Sequence, residues 1–163
     1  MLKVKVQPLT CEAFAPFGQF CNMAEPTGYA LTGALHRFFP DRLTGHANCN
    51  LAFSPIVVKR PEKYVITQQE YHTTTWEMIL PLNGDMILHC APASAGVPVN
   101  RLAKAFLVPK NTLVRINTAI WHLCPLPADT EELNAMIVLP ECIYANDCTV
   151  VDLPEDQQFE IVR

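Results

Sequence analysis

Fourteen prolines against six glycines cut this chain into short apolar runs, and that punctuation leaves little room for helices. Proline has no amide proton and clashes with the preceding turn, so a long helix cannot run through it; within sheets it is confined to edges, strand starts and bulges. The runs between breaks are rich in Val, Ile, Leu, Phe and Tyr. They are Ala52 to Lys59, Tyr64 to Tyr71, Glu77 to Pro81, Asp85 to Cys90, Ala105 to Val108, Thr112 to Asn117, Asn134 to Pro140 and Cys148 to Asp152. Each reads as a strand bounded by turn formers. Leu2 to Val6 alternates with period two, as a half-buried strand does, and Thr10 is placed to cap a short N-terminal helix before Pro16-Phe17-Gly18. From Cys21 to about Gly45 glycines and prolines interrupt every candidate, which predicts loops and an edge strand. The stretch from Val151 to Asp156 reads as a turn-rich ending lying on the surface. Strands in succession with no helices between them predict an all-β sandwich, jelly roll or closed barrel.

A length of 163 residues predicts one domain, residues 1–163. With 50% hydrophobic and 17% charged residues the chain can bury a large core, which excludes disorder. The net charge of −4 carries no long block of one sign, so nucleic acid is not an expected partner and a small molecule is. The seven cysteines are scattered, odd in number and never spaced C-x-x-C, which predicts reduced thiols rather than a disulfide framework or zinc ribbon. Charges alternate in Met1 to Leu9 where a secretory signal needs an apolar core, and no apolar segment is long enough to span a membrane. The expected compartment is the cytoplasm.

Chemistry concentrates in Glu70-Tyr-His72-Thr-Thr-Thr-Trp76-Glu77, followed by Gly84. Side chains two apart on a strand share a face, so Glu70 and His72 project together. Glu77, after a short loop, opens the next strand on the same wall, and Gly84 permits a hairpin turn. Downstream, a turn at Pro109 to Asn111, a strand and a short connection lead to Trp121-His122. Convergence of Glu70, His72, Glu77 and His122 gives two imidazoles and two carboxylates, a set suited to Zn²⁺, Mn²⁺ or Fe²⁺. The same groups serve equally as acids and bases without a metal. His36, His46 and His89 match no such pattern, and a His89/Cys90 metal pair is the weaker reading beside a structural histidine.

These segments resemble the two cupin motifs in the position of the second His, the Glu, the closing Gly and the later single His, with Glu70 where the first motif has a His. That resemblance implies a cupin-type double-stranded β-helix, a jelly-roll barrel. More of the chain is similar to the ureidoglycolate lyase family: Val6-Gln-Pro-Leu-Thr-Cys-Glu-Ala-Phe-Ala-Pro-Phe-Gly18, Glu70-x-His72 leading to Ile79-Leu-Pro81-Leu-x-Gly84, Ala105-Phe106 with Trp121-His122 and Pro125, and Asn146-Asp-Cys148 to Glu155. The resemblance implies a carbon–nitrogen lyase of allantoin and purine breakdown that cleaves ureidoglycolate to glyoxylate and urea, or that acts on a related small ureido or 2-hydroxy acid. It implies His72 and His122 binding substrate or metal, Glu77 in general acid/base work and Glu70 orienting the set, and Trp121 is expected to bind substrate. Three positions depart from the family's pattern: Glu77 stands where Gln is usual, Asn117 where a His is common, and no Arg falls near Ser54-Pro55-Ile56. Among Arg60, Arg101, Lys104 and Arg115, Arg115 is the first choice to clamp the substrate carboxylate, with Asn117 beside it. Two other readings stand against the lyase: a metal-binding cupin of other activity, such as an isomerase or dioxygenase, and a non-catalytic small-molecule-binding cupin. A homodimer is expected of a chain with so much apolar residue and so little charge, and the resemblance to cupins implies pairing through an exposed sheet edge.

Overall fold

The computed structural model describes all of residues 1–163. In chain order the first half holds β1 (Leu2–Pro8), α1 (Cys11–Phe14), β2 (Gly18–Asn22), β3 (Leu31–Thr32), β4 (Arg37–Phe38), β5 (Leu51–Lys59), β6 (Val65–Ile66), β7 (Gln68–Tyr71) and β8 (Glu77–Pro81). The second holds β9 (Met86–Cys90), a 3₁₀ turn (Asn100–Leu102), β10 (Lys104–Val108), β11 (Thr112–Ile116), β12 (Leu126–Pro127), β13 (Glu132–Pro140), α2 (Ile143–Asn146), β14 (Thr149–Asp152) and β15 (Phe159–Val162). Both α-helices are four residues long, as the proline spacing requires. Thr10 caps α1 through its side chain, accepting from the Ala13 amide at 3.2 Å.

Two sheets form the body: a six-stranded one in the order β12-β9-β10-β1-β15-β6 and a five-stranded one in the order β2-β11-β8-β13-β5. Their inner faces meet in one apolar cluster. Met86, Leu88, Cys90, Phe106 and Val108 come from the first sheet, and Ile79, Val114, Ile116, Leu133, Ala135, Ile137 and Leu139 from the second. The curled strands therefore wrap a shared core, the all-β jelly-roll arrangement expected of a cupin. Helix α1 plugs it at the amino-terminal end, where the Phe14 ring stands edge-on to Phe106 at 5.1 Å. Burial of one such side chain stabilises by roughly 1.5–3 kcal/mol. Because side chains alternate, the other face of β9 and β10 carries Ile87, Ala91 and Ala105, packed with Val4, Trp121, Phe159 and Ile161 in a second cluster.

Three local expectations are corrected. The run Tyr64 to Tyr71 is two strands in different sheets: β6 pairs with β15 and β7 with β14. β8 and β9 are not a hairpin, since β8 pairs with β11 and β13 while β9 pairs with β10 and β12. Gly84 instead lies where the chain crosses between sheets, and a Cβ there would collide with the Thr130 side chain. The carboxyl end is not wholly a surface strap. Leu153 is buried, and β15 lies parallel to β1 with Phe159 and Ile161 in the core. No helix is long and apolar enough to cross a membrane.

Candidate active site

His72, Glu77 and His122 come from three separate segments and meet in the interior. His72 follows the last residue of β7, Glu77 is the first residue of β8, and His122 reaches β7 through an antiparallel bridge to Glu70. In that bridge the Glu70 amide donates to the His122 carbonyl at 2.7 Å and the His122 amide to the Glu70 carbonyl at 2.9 Å. Glu77 faces inward because it is in register with Ile116 and shares a face with Ile79, both fully buried. The three side chains are almost wholly buried, at 2%, 6% and 1% exposure.

Both imidazoles aim Nε2 at one oxygen, Glu77 Oε2, at 3.2 Å from His72 and 2.9 Å from His122. Both hold the other ring nitrogen against a backbone carbonyl: His72 Nδ1 lies 2.6 Å from Asp147 O and His122 Nδ1 2.8 Å from Ile120 O. A carbonyl can only accept, so each Nδ1 carries a proton and donates it. Each Nε2 then faces the carboxylate either as a second N–H donor, on an imidazolium, or as a lone pair. Two lone pairs facing across about 3 Å repel unless a cation lies between them. The site thus calls for positive charge, supplied by protons or by a metal ion.

The charge balance follows this geometry. Burial pushes Glu77 up, but the charge and hydrogen bond of His122, then those of His72, outweigh it and hold the carboxyl well below its usual range. Burial depresses both imidazoles, yet Glu77 and the backbone acceptors bring their net shift upward. Beside the triad, Cys148 Sγ donates to Glu70 Oε2 at 3.2 Å. Burial and then that carboxylate push the Cys148 thiol up to about 12. Partial burial, Glu70 and Glu77 likewise push the Tyr144 phenol up to about 12, so the thiol and the phenol are both neutral at pH 7.

The cluster has the fit of a metal centre. The three candidate ligand atoms all lie within 4.8 Å of one another. Donors each about 2.1 Å from a shared ion sit roughly 3.0–3.4 Å apart, close to the observed 2.9 and 3.2 Å. Backbone carbonyls on the remote nitrogens are what orient metal-bound histidines elsewhere. The His-Glu-His cluster can bind a metal.

Of the residues singled out by sequence, His72, Glu77 and His122 are brought together. Glu70 is adjacent, but its carboxylate turns to Cys148. Trp121 alternates with His122 and points the other way, fully buried against Tyr71 with its ring centroid at 4.3 Å. Arg115 alternates with Ile116, the register partner of Glu77, and so lies on the sheet's outer face. There its guanidinium donates to Thr44 O and to Asn117 Oδ1, the latter at 3.2 Å. Arg60 is tied to Thr130 O at 2.8 Å, and Arg101 and Lys104 border a cavity with Leu2 and Lys3. None of these four is bonded to the triad. His89 is buried with neither ring nitrogen partnered and has no part in the cluster.

Asp147 was not foreseen. Its carboxylate accepts the amides of Thr73 and Thr74 at 2.7 Å each, and both threonine hydroxyls. Burial raises its pKa, but these four bonds hold the carboxyl down at about 2. A cavity of about 400 Å³ beside it is lined by Thr74, Thr75 and Asp147 together with His46, Asn48 and Glu141. No member of the triad lines it, and Thr74 and Thr75 belong to the loop that follows His72.

Comparison with known proteins supplies the biochemical context. The family model described as ureidoglycolate lyase matches residues 1–160. A ureidoglycolate lyase of Pseudomonas aeruginosa (strain LESB58) is 26% identical over 163 residues, covering 98% of this chain and 95% of that protein. One from Rhodobacter capsulatus is 32% identical over 134 residues, covering 78% of this chain and 82% of its own. Among solved structures, RmlC from Streptococcus suis in complex with dTDP-D-xylose aligns over 56% of this chain and 44% of its own, with a TM-score of 0.39 and 8% identity, too distant to carry an argument.

Proposed function

Because the chain belongs to the ureidoglycolate lyase family, we propose that it is a carbon–nitrogen lyase that cleaves ureidoglycolate to glyoxylate and urea, with His72, Glu77 and His122 as its catalytic centre. The observation that carries the site is the convergence of both Nε2 atoms on Glu77 Oε2.

The reaction is redox-neutral. The substrate's hydroxyl loses its proton, the carbinol carbon–oxygen bond becomes a carbonyl, the carbon–nitrogen bond breaks, and the departing nitrogen gains a proton. Glu77 is the base for the hydroxyl, and an imidazolium Nε2–H of His122 or His72 is the acid for the nitrogen. The Oε2 to Nε2 hydrogen bonds then return the proton from Glu77 to the imidazole, so turnover leaves the triad as it began. Glu70 borders this exchange and orients the segment that bears His122 through its backbone bridge, while Cys148 holds the Glu70 carboxylate. The substrate carboxylate meets the positive charge of the imidazoles, since Arg60 and Arg115 are bonded elsewhere. That arrangement is weaker than a bidentate guanidinium.

His72, Glu77 and His122 are also the residues that would hold a divalent ion, and their nitrogen and oxygen donors suit Zn²⁺, Mn²⁺ or Fe²⁺, with Lewis-acid polarisation as the chemistry gained. The two forms separate in one experiment. Urea and glyoxylate release is measured on protein as purified, after chelation, and after reloading with each metal. Activity surviving complete chelation supports the acid/base form, activity restored by one metal supports the metal form, and no product from any folded preparation overturns the lyase.

A cytoplasmic homodimer completes this reading. The seven cysteines are free thiols, as in a reducing compartment. The outermost strand β5 turns Phe53 and Val57 to solvent at 67% and 56% exposure.

A further inference from the structure

We propose that Asp147 is a positioning residue that sets the angle of the His72 imidazole, an inference that rests on the reading of His72 as a member of the catalytic triad. Two grips from one residue make the case. Through its backbone carbonyl Asp147 accepts the proton of His72 Nδ1 at 2.6 Å. Through its carboxylate it accepts from the next two residues in the chain: Oδ1 takes the amide and hydroxyl of Thr73, and Oδ2 the amide and hydroxyl of Thr74. The imidazole and the backbone that carries it are thereby fixed to the same residue. Rotation of the ring relative to its own main chain must break one grip or the other.

The His72 carbonyl also accepts the Ala119 amide at 2.7 Å, but Asp147 alone holds both the ring and the residues that follow it. Thr73 and Thr74 are exposed and lie outside any strand, and Asp147 ends a helix of only four residues. His122 has a different device: its Nδ1 bonds the carbonyl of Ile120, two residues away in its own segment. Apart from the Glu77 oxygen that they share, the two imidazoles are oriented by separate partners, His122 locally and His72 across 75 positions of sequence. A partner that orients a catalytic or metal-binding imidazole from outside is commonly worth 10- to 100-fold in activity or affinity.

The test separates this role from the identity of the reaction. Protein labelled with ¹⁵N at histidine shows an Nδ1–H signal for each imidazole bonded to a carbonyl, and these signals need neither substrate nor metal. Asp147→Asn keeps size but puts an NH₂ against the Thr74 amide, where only an acceptor fits. We expect the His72 signal to move upfield or broaden while that of His122 stays in place, and turnover of ureidoglycolate to fall 10- to 100-fold in kcat with KM changed less than threefold. Should D147N fail to fold, the double variant T73V/T74V, which removes both hydroxyl bonds and keeps both amide bonds, decides by the same His72 signal. A His72 signal unchanged in the folded variant overturns the proposal. A shifted signal in a protein that never releases urea or glyoxylate upholds it and overturns the lyase reading instead.

Discussion

Glu77 takes hydrogen bonds from both imidazoles on a single oxygen, so the centre depends on that atom. Replacing it by Gln keeps the volume but removes the charge that draws protons onto both rings. Since Gln is the usual residue of the family at this position, Glu77→Gln tests whether this chain has come to rely on the carboxylate: we expect kcat for urea release to fall by at least about 10²-fold, the usual scale for loss of a general acid or base, and full turnover would remove Glu77 from proton transfer. His89 matters for stability. Burial, and then the charge of His122, push its pKa down from 6.5 to about 3, so between these values the unfolded chain binds a proton that the folded chain refuses. Stability therefore rises with pH through that window and is lost on acidification, by about 1.4 kcal/mol for each pH unit below 6.5. Urea-denaturation midpoints from pH 7 to pH 5 should fall more steeply for the wild type than for His89→Leu; parallel curves would contradict the assignment. Much of the triad was legible because a carboxylate and two histidines on strand-like segments are uncommon by type. Asp147 was not, because it acts on His72 through a main-chain carbonyl, which every residue possesses.

At the scale of elements, β8 occupies the span read for it, Glu77 to Pro81, because both its neighbours and its alternation are strong. The split of β6 from β7 was illegible for a physical reason: it is imposed from the far end of the chain. β14 takes β7, β15 takes β6, and the Leu153 amide bonds Thr67 O at 2.7 Å where the two pairs part. No local property of Tyr64 to Tyr71 encodes that division. β15 itself was missed, since Phe159 to Val162 is a four-residue alternation after a turn-rich segment, and its role comes from the parallel contact with β1. That contact makes a prediction. Phe159 is fully buried against Ile66, Trp121 and His89, and Phe159→Ala should cost about 3–5 kcal/mol. The midpoint of chemical denaturation checks it; a loss under about 1 kcal/mol would mean that the carboxyl-terminal strand frays independently of the core.

For the whole molecule, the outer face of the five-stranded sheet departs from the usual rule that a solvent-facing antiparallel sheet is polar there. Alternation puts Phe53, Pro55 and Val57 of β5 on that face, and their register partners on β13 are Val138, Met136 and Asn134. The face continues into Met78 and Leu80 of β8, partners of Val138 and Met136. Only the β5 end of this face is open: Phe53 and Val57 are largely exposed whereas Val138 is buried, and β5 has no strand beyond it. A nine-residue outermost strand left this way invites pairing, and Pro55 at its centre, which cannot donate to a ladder, favours contact by the face over extension of the sheet. A homodimer that covers this face removes the apolar side chains from water without disturbing the triad, which lies on the inner side of β8. Sedimentation velocity at micromolar concentration should give a dimer for the wild type and a monomer for Phe53→Glu/Val57→Glu, since two buried carboxylates in each copy, facing their symmetry mates, cost far more than the apolar contact returns. The monomeric variant should keep its kcat, because no residue of the triad or of the Asp147 clamp comes from β5. A wild type that sediments as a monomer would leave this face without a second copy, and a variant that loses dimerisation and turnover together would show that the partner completes the site.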